Sequence, residues 1–244
     1  MVTGRDLEER LLAVMDQKDH WAWPQFTRPG LSHAQLAIHF RHEFLTYVRD
    51  FPVLLARVMG QGPPTEVREA LARNIDEEQT GHYSLGISHP ELFLQMMDGL
   101  GIARTGIESG PIEPEAVAYR ALLERQSAAP PWFIGAAVMT VFVEGSVHER
   151  KERGGGGEKP AVEQAILAHP MVQFYGCPPA AMRLVRAHRA VEGDHRKDAW
   201  DMLLRHVPLE GPDADAVVTA VGQAHQAWLA YRDGVARAMG LERS

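Results

Sequence analysis

His188, Glu192 and His195 stand at i, i+4 and i+7 of a segment with helical periodicity. At about 100° per residue the three side chains leave one helix face within roughly 60° of one another. Two imidazoles and a carboxylate on one face make part of a metal site, because nitrogen and oxygen donors of this kind hold iron. A solvated face can carry the same spacing, and Arg186, Arg189, Asp194, Arg196 and Lys197 are close in sequence. Met182, Leu184, Val185, Val191 and Trp200 give the opposing signal, an apolar stripe beside which the triplet points into a bundle.

Three further residues extend the set. Glu144 ends the uncharged run 132–143, and a carboxylate there is costly unless a cation or hydrogen bonds compensate it. Glu144 is therefore expected to be buried and functional, whereas His148 is expected on the wet face that Arg150 and Lys151 begin. Glu78 closes Asn74-Ile75-Asp76-Glu77-Glu78, where consecutive acids commonly mark a solvated helix end. His89 follows eleven residues later, which is roughly 16 Å along a straight helix. Both can reach one metal centre only if the chain between them folds back. Gly81, Gly86 and the His89-Pro90 junction permit this, so an irregular, mobile segment over 81–88 is expected if both are ligands. His82, one turn after Glu78, is the competing ligand.

Together Glu78, His89, Glu144, His188, Glu192 and His195 offer three carboxylates and three imidazoles. Two six-coordinate irons bridged by carboxylate need about that set, with positions left open for dioxygen and substrate. The mixture is too rich in oxygen for structural zinc.

The elements that must position these residues are helical almost throughout. Helices are expected over 6–19, from an N-cap at Ser32 through 49, from Pro52 onward, and over 65–80. Others are expected from His89-Pro90 with Pro90 at the first helical position, over 113–127, 131–153, 161–168 and 179–206, and over 213–239. No segment alternates as a strand, there is no internal repeat, and Gly154 to Gly157 form a flexible connection. The chain reads as one all-α domain over 1–244 with short connections.

Composition narrows the function classes. A net charge of −7 argues against nucleic acid and against an anionic membrane surface. The single cysteine, Cys177, excludes an internal disulfide and thiolate-rich metal sites. No apolar run is long enough to cross a bilayer, and the N-terminus is not of signal-peptide type, so the cytoplasm is the expected compartment.

These motifs resemble the heme-oxygenase-like diiron oxidases, relatives of the TenA thiaminases and pyrroloquinoline quinone synthase. The resemblance covers most of the chain. It begins in 35–58, where Tyr47-Val48-Arg49-Asp50-Phe51-Pro52 looks like the helix pair near the start of that fold. It continues through Asn74-Ile75-Asp76-Glu77-Glu78 and His89-Pro90-Glu91-Leu92, includes Glu144, and closes with the HxxxExxH triplet. Carried over residue by residue, it implies metal ligation by Glu78, His89, Glu144, His188, Glu192 and His195. The family commonly has Asp where Glu192 stands, and its interval from first carboxylate to histidine is often shorter than here. The implied fold is a heme-oxygenase-like bundle of about seven helices enclosing a pocket.

The implied activity is that of a non-heme diiron oxidase or oxygenase using two ferrous ions and dioxygen. Its substrate would be a small organic molecule, amino-acid-like or fatty-acid-like, in a biosynthetic pathway, and the expected assembly is a homodimer. Members without metal exist, so a metal-free enzyme or binder using acid–base residues in the same pocket is the alternative. A heme binder using His20, His33, His39 or His42, or a helical scaffold without catalysis, would be other outcomes. Trp21, Trp23, Phe26, Phe40, Phe44, Tyr47, Met96 and Met139 are candidates to line a substrate pocket, although such positions are more often core. Arg41, Arg49 or Arg183 are the candidate anchors for a substrate carboxylate.

Overall fold

In the computed structural model, residues 7–154 and 160–243 are described, the side chains of 192–196 excepted. Helix α1 (Leu7–Met15) buries Leu7, Leu11, Leu12 and Met15, the stripe its sequence presents. After the short α2 (Trp23–Phe26), α3 (His33–Glu43) starts at the expected cap. The Ser32 hydroxyl accepts from the Gln35 N–H while the Gln35 side chain accepts from the Ser32 N–H, a reciprocal capping box. The helix widens into a π-helical turn, Phe44–Val48, before α4 (Phe51–Met59). Helix α5 (Thr65–Thr80) has the bounds expected from sequence. Helix α6 (His89–Gly99) begins one residue earlier than expected, with Ser88 as its cap.

Helices α7 (Arg104–Glu108) and α8 (Pro114–Ala128) follow. Helix α9 (Trp132–Ala136) then runs into a second π-helical segment, Ala137–Val143. The single helix expected over 131–153 is broken here, since α10 starts only at Glu149 (Glu149–Arg153). The cause is a tight turn at Gly145, where a Cβ would stand 2.2 Å from the Val141 carbonyl oxygen and 2.7 Å from Met15 Cε. Carbonyls freed by the break still need donors. Lys18 supplies them: its Nζ donates to the carbonyls of Phe142 at 2.5 Å and Gly145 at 2.6 Å. Helices α11 (Val162–Leu167) and α12 (Pro170–Tyr175) and a 3-10 turn at Pro179–Ala181 lead to α13 (Arg183–His206) and α14 (Pro212–Ala238).

Every regular element among the described residues is helical, and fourteen α-helical segments appear where about seven helices were expected. The surplus comes from short segments such as α2, α7 and α10 to α12. Helix α14 lies along α8 and touches α1 and the second π-helical segment, around the main core of Leu11, Leu55, Tyr119, Phe142, Trp228 and Tyr231. A second apolar cluster, including Leu36, Phe40, Phe93, Met97 and Met182, joins α3 to α6 and the chain before α13. Helix α13 packs on α5, α6 and the second π-helical segment, which brings His188 into the neighbourhood of Glu78 and His89. Among the described residues no helix is long and apolar enough to cross a membrane.

Candidate metal centre

On α5 the buried positions are Val67, Leu71, Asn74 and Glu77, a stripe of i, i+4, i+7 and i+10 that runs straight into the acidic cluster. The acids divide between faces. Asp76 is directed outward and pairs with exposed His82, whose Nδ1 is 2.8 Å from Asp76 Oδ2. Glu77 is fully buried. Its carboxylate accepts the Tyr83 N–H at 2.7 Å and the Ser84 hydroxyl, and stands 3.0 Å from His89 Nε2. Burial alone would raise the Glu77 pKa, but these donors outweigh it and hold the carboxyl below its ordinary value.

The chain folds back between Glu78 and His89 as the metal hypothesis requires. Gly81 caps α5 in the left-handed region, with φ 66°, and donates to the Glu77 carbonyl at 2.7 Å. A Cβ on Gly81 would meet the Ile87 carbonyl oxygen at 2.3 Å and its nitrogen at 2.5 Å, so two backbones touch at this point. Gly86 donates to the Gly81 carbonyl at 2.8 Å and closes the loop. Residues 81–88 are irregular, as expected, and they bring His89 Nδ1 to 2.9 Å from Glu78 Oε1. His89, not His82, is the histidine placed beside Glu78.

His188 arrives from α13. One donor atom each from Glu78, His89 and His188 lie within 4.8 Å of one another. The His89 and His188 rings meet edge-on with centroids 4.9 Å apart. His89 Nδ1 and Glu78 Oε1, both atoms of the kind that bind metals, stand 2.9 Å apart in the interior, an arrangement that either a shared cation or a proton on the imidazole satisfies. Burial opposes a charged imidazole at His89, but Glu78 and Glu77 outweigh it and raise its pKa, so the local field favours positive charge. Glu77, accepting from the far ring nitrogen, is the carboxylate that orients a metal-bound histidine in many sites. The donors therefore fit an iron ion.

Glu144 is half-buried at the end of the second π-helical segment. Its Oε1 accepts from Asn74 Nδ2 at 2.7 Å, and Asn74 lies one turn before Glu78 on α5. It thus reaches the same helix face but is not among the three donors that converge. Glu192 and His195 belong to α13, four and seven residues beyond His188, and their side chains lie outside the described residues.

Sequence reasoning missed Glu77 and Asn74, which hold His89 and Glu144. The signal was present, because Val67, Leu71, Asn74 and Glu77 continue one apolar spacing. It also missed Glu149, a buried carboxylate accepting from Trp200 Nε1 and the Ser146 N–H, each at 3.1 Å. His148 is exposed, as expected. Of the histidines considered for heme, His42 accepts the Glu113 N–H through Nε2 at 2.9 Å and places Nδ1 2.7 Å from the Ile38 carbonyl. His20 pairs with Asp233, while His39 is packed against Trp23, Phe26 and Phe40.

A family model described as iron-containing redox enzyme matches residues 38–229. Among solved structures the chain is similar to a TenA homologue from Pseudomonas syringae pv. tomato str. DC3000. That likeness has a TM-score of 0.66 and 12% identity, covering 93% of this chain and 88% of the other. It is also similar to a domain of unknown function with a heme oxygenase-like fold from Shewanella denitrificans OS217. There the TM-score is 0.67 and the identity 16%, covering 96% of this chain and 90% of the other. No curated protein matches the sequence. At these identities the structural likeness speaks for the all-helical, heme-oxygenase-like fold alone.

Proposed function

This chain belongs to the family of iron-containing redox enzymes, and we propose that within it the chain is a non-heme diiron oxidase or oxygenase. Its substrate would be a small organic molecule, amino-acid-like or fatty-acid-like, in a biosynthetic pathway. The observation that carries this reading is the convergence of Glu78, His89 and His188 from three helices, with Glu77 seated behind His89. In this reading Glu78, His89 and His188 hold iron, and Glu144, Glu192 and His195 complete the ligand set for a second ion. Bound ferrous iron would supply the electrons that reduce dioxygen.

The chain's own residues do the positioning. Glu77 accepts the His89 Nε2–H, which leaves Nδ1 beside Glu78 with its lone pair available to a cation. Asn74 donates to one oxygen of Glu144 and so fixes that carboxylate against α5. The Gly81 turn keeps Glu78 and His89 adjacent. Partner and place follow the same proposal: a homodimer in the cytoplasm, acting on a small molecule and not on nucleic acid or membrane.

The alternative is a metal-free enzyme in which the same residues move protons. The feature that favours it is His89 between two carboxylates, an arrangement that holds a proton on the imidazole without any metal. Anaerobic loading with ferrous iron, desalting and colorimetric iron analysis separate the two readings. About two irons per chain are expected, falling to one or fewer in Glu78→Ala and His188→Ala, with dioxygen consumed only by the loaded wild type. A folded wild type that retains no iron after loading would overturn the diiron reading and leave the acid–base one.

A further inference from the structure

A cavity of about 270 Å³ lies in the bundle, close to the lower end of the roughly 300–1,000 Å³ typical of small-molecule sites. Both π-helical segments reach it: the first contributes Tyr47 and the second Val143, and Gly145 to His148 extend the wall beyond Glu144. Departures of this kind from α-helical geometry are frequent at functional sites. Most of the remaining wall is aromatic, from Trp23, Tyr119 and Trp228. Trp23 and Tyr47 are only half-buried, so the fold leaves part of their surface uncovered. Phe40, Phe44 and Met96 belong instead to the second apolar cluster.

Two cations also line the cavity, and the fold has already committed both. Lys18 Nζ donates to the carbonyls of Phe142 at 2.5 Å, Gly145 at 2.6 Å and Val143 at 3.3 Å, which occupies the three hydrogens of an ammonium. Arg232 Nη2 pairs with buried Glu43, and the guanidinium carbon stands 4.4 Å from the Trp23 ring centre and 5.4 Å from that of Trp228. Its Nε and Nη1 are buried out of reach of solvent. The Tyr47 hydroxyl donates to Glu43. An anion entering this space gives up water without gaining any of these donors, and it meets the carbonyl oxygens gathered around Lys18. A cation meets the charge of Lys18, with no carboxylate on the wall among the described residues. Burying either charge unpaired is costly. An uncharged ring incurs no such cost and buries apolar surface against the aromatic wall.

We propose that this cavity binds a small, flat, uncharged aromatic molecule and selects against charge of either sign. The ring lies against Trp23, Trp228, Tyr47 and Tyr119, in the offset or edge-on contacts that aromatic pairs prefer. Arg49 and Arg183 take no part, since they bond to Asp50 and Gln95. The inference goes beyond the proposed function and does not rest on it, because none of the wall residues is a candidate metal ligand. Binding itself requires no iron. A charged substrate of the metal centre keeps its charged end outside this wall.

The test is calorimetric titration of the full chain, iron-free and iron-loaded, at pH 7 with acetophenone, benzoate and benzylammonium, three single-ring molecules that differ in charge. Tryptophan fluorescence is followed alongside, since Trp23 and Trp228 stand in the wall. Saturable one-to-one binding of acetophenone is expected in both forms, with each ion at least about ten-fold weaker. Val147→Trp fills the cavity from a half-buried turn position outside the ion pair and should abolish acetophenone binding in a folded protein. Benzoate or benzylammonium binding as tightly as acetophenone, no saturable acetophenone binding to wild type, or unchanged binding to Val147→Trp would each overturn the proposal. Acetophenone binding by a protein that retains no iron would sink the diiron reading and leave this one standing, and iron uptake without acetophenone binding would do the reverse.

Discussion

Gly81→Ala tests whether the candidate metal centre depends on the loop that folds His89 back onto Glu78, and Gly86→Ala is its internal control. Both glycines sit at φ 66°, so an alanine at either pays the left-handed penalty of about 1–2 kcal/mol. At Gly86 nothing lies within 4 Å of the added Cβ, and the cost ends there. At Gly81 the Cβ would stand 2.3 Å from the Ile87 oxygen and 2.5 Å from its nitrogen. Non-bonded heavy atoms settle at about 3.5–4.0 Å, and these two belong to backbone that cannot rotate aside. The loop must therefore shift by about an ångström, which adds roughly 1–3 kcal/mol of overpacking strain. The sum is about 2–5 kcal/mol for Gly81→Ala against about 1–2 for Gly86→Ala. Ile87 is two residues from His89, so the shift also disturbs the 2.9 Å approach of Nδ1 to Glu78. Urea unfolding followed by circular dichroism measures the first effect, and ferrous uptake by the folded variants measures the second. Gly81→Ala should lose iron that Gly86→Ala keeps. Matching unfolding midpoints and matching iron content in the two variants would refute the reasoning.

Burial pushes the His39 pKa down from 6.5 to about 3, with Arg232 and His42 acting in the same direction and Glu43 opposing. The unfolded chain therefore takes up this proton first, and native stability falls as pH drops from 6.5 towards 3. By pH 5 the loss is about 2 kcal/mol, and His39→Phe should remove that share of the difference between urea midpoints at pH 7 and pH 5. Arg232→Met leaves buried Glu43 without its cation, which should cost about 3–5 kcal/mol. The double variant Glu43→Gln/Arg232→Met should recover much of this in the same unfolding assay, and a double variant no more stable than the single one would contradict the pairing. Ser32→Ala removes the hydroxyl of the α3 capping box and should cost about 1 kcal/mol, read as a shift in the thermal midpoint with the α3 fold retained.

The sequence by itself determined the all-helical class, the bounds of α5, the cap of α3 at Ser32 and the need for a break between Glu78 and His89. These are local matters: helix periodicity, capping and the reach of a straight helix depend on neighbours within a turn or two. The spacing of His188, Glu192 and His195 was legible for the same reason, as was the demand for compensation at Glu144. Tertiary structure decided what crosses between elements. The helix expected over 131–153 breaks at the Gly145 turn, and Met15 and Lys18, more than a hundred residues earlier, pack against that turn and satisfy its carbonyls. Asn74 meets Glu144 because α5 and the second π-helical segment are brought together, and His188 meets His89 because α13 lies on α6. Nothing in the sequence around Arg232 singles it out among the residues late in the C-terminal helix. Only the packing of α14 against α3 and α8 buries it beside Glu43 and leaves two of its nitrogens facing no acceptor, since a side chain's desolvation is set by the elements around it and not by the residues beside it in the chain.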